Sequence, residues 1–398
     1  MKEKHEKTID DLNLNHKKVL VRVDFNVPLS NGVITSTKRI KAALPTINKI
    51  IQENGKVILL SHLGRVKSQE DLASKSLKPV AVELAKQLQR PVKFVNATRG
   101  LALENAINNM NDGDVLLVQN TRYEDLNDKA ESNNSDQLGQ YWASLGDVFI
   151  NDAFGTAHRA HASNVGIASN IQESALGYLM QKEVESLNSV IENPNHPYVA
   201  IIGGAKVSDK IQVLENLIEI ADKMIIGGAM AYTFMAAKGL STGTSLVEKD
   251  YIELASNFLA KYDDKVILPV DHACADGFKD VEATIFDVEI PKRYMGLDVG
   301  PKSIENIQNA LADAKTVVWN GPMGVAEFVN FQKGTLAVCE SIAQLKDAYT
   351  LVGGGDSVSA VEKLNMEQEF SHVSTGGGAS LELLQGLKLP GVESIQDK

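Results

Sequence analysis

Cysteine is nearly absent from this 398-residue chain: Cys274 and Cys339 stand alone, with no C-x-x-C and no even framework of the kind that staples secreted domains. Two reduced thiols in a cytoplasmic protein are the expectation. No apolar run approaches the ~18 residues that span a bilayer. The opening MKEKHEKTIDDLNLNHKK carries charge but neither an apolar signal core nor a small-residue cleavage site, so neither a membrane partner nor secretion is expected. Positive charge is also in deficit, with 40 Lys and Arg against 51 Asp and Glu and a formal net charge of −11. That balance argues against nucleic acid as a partner, which calls for a basic surface, and any anionic ligand has to be met by local positive charge. Two phosphate-loop spellings are missing too. No Gly-Lys is followed by Ser or Thr as in a Walker A loop, and there is no G-x-G-x-x-G of the dinucleotide type.

What the chain has is a repeated unit: a short β-rich apolar run ending abruptly in polar residues or glycine, then a helical pattern. In the first part these runs are KVLVRVDFN (18–26), VILLSHLGR (57–65), VKFVNATRG (92–100), VLLVQNTRY (115–123) and DVFINDAFG (147–155). The second part has VAIIGGAK (199–206), KMIIGGAM (223–230), KVILPVD (265–271), TVVWNGPMG (316–324), YTLVGGGDS (349–357) and HVSTGGGAS (372–380). Continuous apolar strands alternating with helices imply parallel sheets covered on both faces. The expected fold class is α/β, with two doubly wound parallel-sheet, Rossmann-like domains joined by a hinge helix. The expected divisions are an N-terminal domain at 1–174, a connector helix at 175–195, a C-terminal domain at 196–384 and a tail at 385–398. A helix is predicted over 77–90, and DKAESNNSDQ (128–137) reads as a solvated loop.

In open parallel sheets ligands collect outside the carboxyl ends of the strands, and there the two halves differ. The first half supplies Asp24, Asn26, Arg39, His62, Arg65, Arg122, His158 and Arg159. Any one arginine alone reads as a surface ion pair. Four arginines and two histidines at equivalent edges point instead to a small, multiply anionic ligand, which guanidinium forks suit. His158 and His161 are three apart, but no H-E-x-x-H is present and Arg159 lies between them, so metal ligation is not the reading. The second half supplies five glycine clusters with Lys206, Lys210 and Asp356. Glycine turns leading into helices let backbone N–H groups approach phosphate. In GGAKVSDK (203–210) the two lysines are four apart, on one side of a helix beginning near Val207. Asp356 is a candidate for a Mg²⁺ contact or a helix N-cap, and Glu327 could accept hydrogen bonds from a ribose. One lobe for an anionic small molecule and one for Mg-nucleotide suggest a two-domain kinase, in which positioning and positive charge do most of the chemistry.

In this order, VRVDFNVP, SHLGR, NDAFGTAHRAH, GGAKVSDK, WNGPMGV, GGGDS and STGGGAS resemble the phosphoglycerate kinase family over nearly the whole chain. The resemblance implies reversible phosphoryl transfer from 1,3-bisphosphoglycerate to ADP, giving 3-phosphoglycerate and ATP with Mg²⁺, by a monomer whose two domains close. It implies a phosphoglycerate site of Asp24, Phe25, Asn26, Arg39, His62, Leu63, Gly64, Arg65, Arg122, His158 and Arg159. It implies a nucleotide site of Gly204, Ala205, Lys206, Lys210, Gly228, Gly296, Asn320, Pro322, Glu327, Gly354, Gly355, Asp356 and Ser357, with Asp356 linked to the metal. Arg39 and Lys206 match the pair that stabilises the phosphoryl group in flight, helped by the backbone N–H groups of Gly376 and Gly377. The tail LPGVESIQDK is expected to pack back on the first domain. The chain departs from the usual pattern at Ala326, Ala229, Gln119, Ser36 and Lys38, the first two bearing on nucleotide affinity. Two rivals stay open. A NAD-dependent dehydrogenase shares the fold class but needs the missing fingerprint. A non-catalytic nucleotide-binding or adhesion protein has no need of Arg39, Lys206, Lys210 and Asp356 together.

Overall fold

Strands that are apolar on both faces need helices on both sides, and the chain meets that demand twice. The computed structural model describes residues 4–398 and divides into two units, the chain up to Val184 with Lys388–Lys398, and Glu185–Leu387.

In the first unit the strands are β1 (Lys18–Arg22), the hairpin β2 (Leu29–Ser30) and β3 (Val33–Ile34), then β4 (Lys56–Leu60), β5 (Val92–Val95), β6 (Val115–Val118), β7 (Val148–Asn151) and β8 (Ser174–Leu176). Between them run α1 (Lys38–Gln52), α2 (Gln69–Ser74), α3 (Lys78–Leu88), α4 (Leu101–Asn108) and α5 (Asp136–Ser144). The main sheet is parallel, in the order β5-β6-β4-β1-β7-β8. β1 therefore has β4 on one side and β7 on the other, which makes its C-terminal end the switch point where ligands bind in such sheets. Val19, Val21, Val57, Leu59, Leu117 and Ile150 alternate into one core with Ile47 of α1 and Leu84 of α3. The helix predicted over 77–90 is α3, closed by Gln89 in the left-handed conformation (φ 53).

The division between units falls inside α6 (Tyr178–Glu192). The second unit continues with β9 (Tyr198–Ile202), α7 (Val207–Ile218), β10 (Lys223–Ile226), α8 (Met230–Ala237), α9 (Ile252–Tyr262) and β11 (Val266–Ile267). Next come β12 (His272–Ala275), β13 (Thr284–Phe286), β14 (Met295–Val299), α10 (Pro301–Leu311), β15 (Thr316–Asn320) and α11 (Lys333–Ala343). β16 (Tyr349–Gly353), α12 (Gly355–Lys363), β17 (His372–Val373) and α13 (Gly378–Leu384) complete it. Its main sheet is again parallel, β11-β10-β9-β15-β16-β17, with β9 at the switch point between β10 and β15.

Four sequence expectations are corrected. Ala175 and Leu176 belong to β8, paired to β7, so the connector helix starts later, and it stops at Glu192. The stretch 265–271 keeps only Val266–Ile267 as strand. A separate antiparallel sheet, β13-β12-β14, has no counterpart in the predicted all-parallel layout. Its strands are 3 to 5 residues long and β13 is largely exposed, so no continuous apolar run announced it. Finally, 128–137 is not simply a solvated loop: Glu131 is fully buried and accepts from the Ser163 N–H at 2.8 Å.

The C-terminal segment carries α14 (Pro390–Glu393). In it the Gly391 N–H donates to the Ala157 carbonyl (2.8 Å) and the Gln396 N–H to Ser174 Oγ (3.0 Å), tying it to the first unit. No helix among the described residues is long and apolar enough to cross a membrane.

Candidate functional site

In the first unit the polar ends of β1, β4 and β6 and the segment after β7 are latched by side-chain bonds to backbone. Asn26 Oδ1 accepts from the Gly64 N–H (2.8 Å), and Gly64 needs glycine for its φ of +61. Asn120 accepts from the Leu63 N–H (3.1 Å) and donates to the Leu63 carbonyl (2.8 Å), while the buried Phe25 donates its N–H to Ser61 Oγ (2.9 Å). Phe25, Leu63 and Gly64 thus shape the loops. Gln119, where the family resemblance suggests Glu, accepts from the Leu77 and Asn120 N–H groups and donates to Ser76 and Asn96. A carboxylate could not donate these last two bonds.

On this frame sits the basic cluster. Arg39, second residue of α1, donates through Nη1 to both oxygens of Asp24 (2.9 and 3.1 Å), so Asp24 orients the arginine. Arg122 donates to Ser132 Oγ (3.0 Å), with Asp125 Oδ2 at 3.4 Å. His62 is buried and its pKa is held well below the usual imidazole value, first by burial and then by Arg22, Arg122, His161 and Arg39. His161 is pushed down to about 3 by burial and by Arg22, Arg122 and Arg159. These mutual effects bring Arg39, His62, Arg122, Arg159 and His161 into one electrostatic field. Arg65 and Arg159 are exposed and His158 is half-buried.

Arg22 and His161 are absent from the sequence-derived site. Arg22 is 1% exposed and sits at the end of β1. It donates to Ser163 Oγ (2.9 Å), to the Val23 carbonyl and, through Nη2, to His62 Nδ1 (3.0 Å). A guanidinium can only donate, so Nδ1 of His62 is the acceptor and its ring proton lies on Nε2. A charged residue inside an otherwise apolar strand was the available signal. No group of three or more His, Cys, Asp or Glu residues among those described is placed to hold a metal.

In the second unit the strand-end glycines divide into two kinds. Those after β9, β10 and β15 pack backbone on backbone: a Cβ on Gly203 would lie 2.2 Å from the Pro322 carbonyl oxygen, one on Gly321 2.2 Å from that of Gly203, and one on Gly228 2.4 Å from that of Gly204. Their N–H groups are already committed, Gly203 to Asn320, Gly204 to Pro322, Gly227 to Ile202 and Gly228 to Met323. These turns therefore build a floor of interlocked backbone, their N–H groups engaged within the protein. Gly354 (φ +93), in contrast, is the N-cap of α12, and Gly355 and Asp356 open that helix. Gly377 (φ +47) caps α13, while the Gly376 N–H reaches Ser374 Oγ at 3.3 Å.

Lys206 is the N-cap of α7, exposed and without an ion-pair partner among the described residues. Lys210 is half-buried, its ammonium donates to Asn320 Oδ1, and burial lowers its pKa while Asp209 and Asp356 pull it back up. Asn320 also donates to the Gly353 carbonyl (3.1 Å) and so anchors Lys210. Ser357 Oγ accepts from the Gly321 N–H (2.6 Å), a structural bond.

Between these loops and β14 lies a cavity of ≈ 710 Å³. Gly204, Ala205, Gly228, Gly296, Pro322, Glu327 and Asp356 line it, as do Ala229 and Ala326. Tyr232, Ser359 and Lys363 line it as well and were missed. The spacing of Asp356, Ser359 and Lys363 puts them on one face of α12, a signal legible once that helix is assigned. Glu327 and Asp356 are exposed carboxylates at its rim.

The chain matches the family model described as phosphoglycerate kinase over residues 9–387. It is 60% identical over 394 residues to the phosphoglycerate kinase of Enterococcus faecalis, covering 98% of this chain and 99% of that one. Against the Lacticaseibacillus casei phosphoglycerate kinase it is 58% identical over 391 residues, covering 98% and 99%. Among solved structures, phosphoglycerate kinase from Coxiella burnetii superposes with a TM-score of 0.89 at 39% identity, covering 98% of each chain. That from Pyrococcus horikoshii gives 0.82 at 30%, again covering 98% of each.

Proposed function

Because the chain belongs to the phosphoglycerate kinase family, we propose that its basic cluster holds phosphoglycerate, that its cavity holds ADP or ATP, and that phosphoryl transfer follows closure of one unit on the other. The carrying observation is the contrast between the sites. One is a field of arginines around a neutral histidine, which donates without adding charge. The other sets Lys206, without an ion-pair partner among the described residues, and the carboxylates of Asp356 and Glu327 beside a cavity large enough for a nucleotide.

In the glycolytic direction a β-phosphate oxygen of ADP attacks the phosphorus of the acyl phosphate. The new P–O bond forms as the bond to the carboxyl oxygen breaks, and 3-phosphoglycerate leaves as its carboxylate. The attacking oxygen is already ionised at neutral pH, so no general base is needed. Arg39, aimed by Asp24, and Lys206, at the start of α7, neutralise charge on the phosphoryl group. The Gly377 N–H, at the α13 N-terminus, adds a backbone donor. Arg65, Arg122, His62, His158 and Arg159 hold the phosphoglycerate, and Lys210 the nucleotide phosphates. Reacting atoms have to come within ~3 Å with water excluded, which closure achieves.

Asp356 fits a Mg²⁺ ion that takes one carboxylate and completes its shell from phosphate oxygens and water. It is exposed at the cavity rim, and no ion pair with a described residue engages it. When bound there, the metal supplies charge neutralisation on the nucleotide phosphates. A monomer in the cytoplasm is the setting this reading expects.

Replacing Arg39 by alanine tests it. Turnover should fall ~10²-fold or more while circular dichroism and unfolding midpoint stay close to wild type, because Arg39 is exposed and, among the described residues, its side chain bonds only to Asp24. Near-normal kcat in a folded variant would remove Arg39 from the mechanism.

A further inference from the structure

The segment from Asp125 to Ser132, just past the turn after β6 that carries Arg122, meets the basic cluster through buried side chains. Asp125 and Glu131 are carboxylates only 8% and 0% exposed. Ser132 closes the segment on itself, its N–H donating to Asp125 Oδ1 (2.8 Å) and its hydroxyl to Asp125 Oδ2. The same hydroxyl accepts from Arg122 Nη1 (3.0 Å), which lies farther from Asp125 Oδ2 (3.4 Å). Because Oγ gives its one proton to Asp125, its lone pairs are turned to Arg122, and Ser132 bridges guanidinium and carboxylate. Glu131 serves the other arginine. Its Oε1 accepts from the Ser163 N–H (2.8 Å), and Ser163 Oγ accepts from Arg22 Nε (2.9 Å). Burial lowers the pKa of Arg22, and Glu131 is the charge that most opposes this, followed by Asp24. Glu131 Oε2 is buried without a hydrogen-bond partner, so the carboxylate acts on Arg22 through space.

We propose that Asp125–Ser132 is the positioning layer of the phosphoglycerate site: Asp125 and Ser132 aim Arg122, and Glu131 tempers the positive field around Arg22 so that the bound anion can leave. The proposal rests on reading the basic cluster as the phosphoglycerate site. Arginines gathered without an opposing charge would bind the ground state of a multiply charged anion more tightly without speeding its transfer.

Two full-length variants should differ from wild type in opposite directions. Ser132→Ala frees the Arg122 fork. Its KM for 3-phosphoglycerate should rise about five- to tenfold, the scale of one hydrogen bond, with the KM for ATP and the unfolding midpoint near wild type. Ser132→Thr, which keeps the hydroxyl, should restore the wild-type KM. Glu131→Gln keeps an acceptor for the Ser163 N–H and removes the charge. By calorimetry its Kd for 3-phosphoglycerate should fall about threefold or more, with the Kd for ADP unchanged. If Glu131→Gln is unfolded alone, saturating 3-phosphoglycerate should recover its folded circular-dichroism spectrum, because the anion then supplies the missing charge. A KM for 3-phosphoglycerate in Ser132→Ala that changes by less than twofold, or that rises equally with the KM for ATP, overturns the proposal. Weaker 3-phosphoglycerate binding by folded Glu131→Gln, or no recovery of the unfolded variant, overturns it as well. Failure of the wild-type protein to bind 3-phosphoglycerate would overturn the reading of the cluster itself, and calorimetry shows it before any variant is made.

Discussion

Asp152 carries a buried carboxyl with no charged partner near it. It accepts from the Leu179 N–H (3.0 Å) and the Met180 N–H (3.3 Å) at the start of α6, yet Oδ2 is buried without a hydrogen bond and burial pushes its pKa up to about 7. The folded state thus keeps a proton that the unfolded state, with an ordinary Asp value of 3.8, releases first. The stability this protonated carboxyl confers is complete below about pH 4 and is lost as the pH rises through about 7. Asp152→Asn, neutral at every pH, should therefore gain on wild type by up to ~1.4 kcal/mol per pH unit between about pH 4 and 7, with a flat difference above. Urea unfolding of both proteins at intervals across that range measures it, and a difference independent of pH would contradict it. Individual residues of this kind are the least legible in the sequence. Arg39, His62 and Lys206 could be named because strand-end motifs mark them. Arg22, Asp152 and Tyr232 owe their properties to burial and to partners far along the chain, which no local pattern encodes.

Among the elements, the three turns after β9, β10 and β15 act as one interlocked piece. Gly228 has φ +66, and a Cβ there would lie 2.4 Å from the Gly204 carbonyl oxygen and 2.5 Å from its nitrogen. Gly228→Ala should cost ~2–4 kcal/mol of second-unit stability, through backbone strain and overpacking together, and should weaken ADP binding because the floor of the cavity shifts. Chemical unfolding and calorimetric titration with ADP test both; a cost under ~0.5 kcal/mol would show that the turns yield independently. The glycines were legible as special positions, but their packing against one another was not. A Gly-Gly pair that meets phosphate and one that meets another loop look alike in sequence. Parallel strands were readable because burial on both faces gives an unbroken apolar run. The β13-β12-β14 sheet, with short and partly wet strands, offered neither a run nor a sustained alternation.

For the whole molecule, the first and last described segments of the chain belong to the same unit. Leu389, Val392 and Ile395 are buried, and the C-terminal segment bonds to Ala157 and Ser174. Deleting Lys388–Lys398 should destabilise the first unit by several kcal/mol, at ~1.5–3 kcal/mol per buried aliphatic side chain. Hydrogen exchange should then quicken in the peptides of β1, β7 and β8 while β9 and β15 stay protected; equal loss in both sets would mean that the units unfold as one. The family and the α/β class could be read from ordered motifs spread along nearly the whole chain. The limits of each unit were less legible, since α6 gives no sequence break where the contacts change hands. The account stands most directly on one assay, formation of ATP by the purified chain from 1,3-bisphosphoglycerate and Mg-ADP. It predicts one ATP and one 3-phosphoglycerate per acyl phosphate consumed, with turnover cut ~10²-fold or more in Arg39→Ala. Folded protein that binds ADP and yet forms no ATP would contradict it.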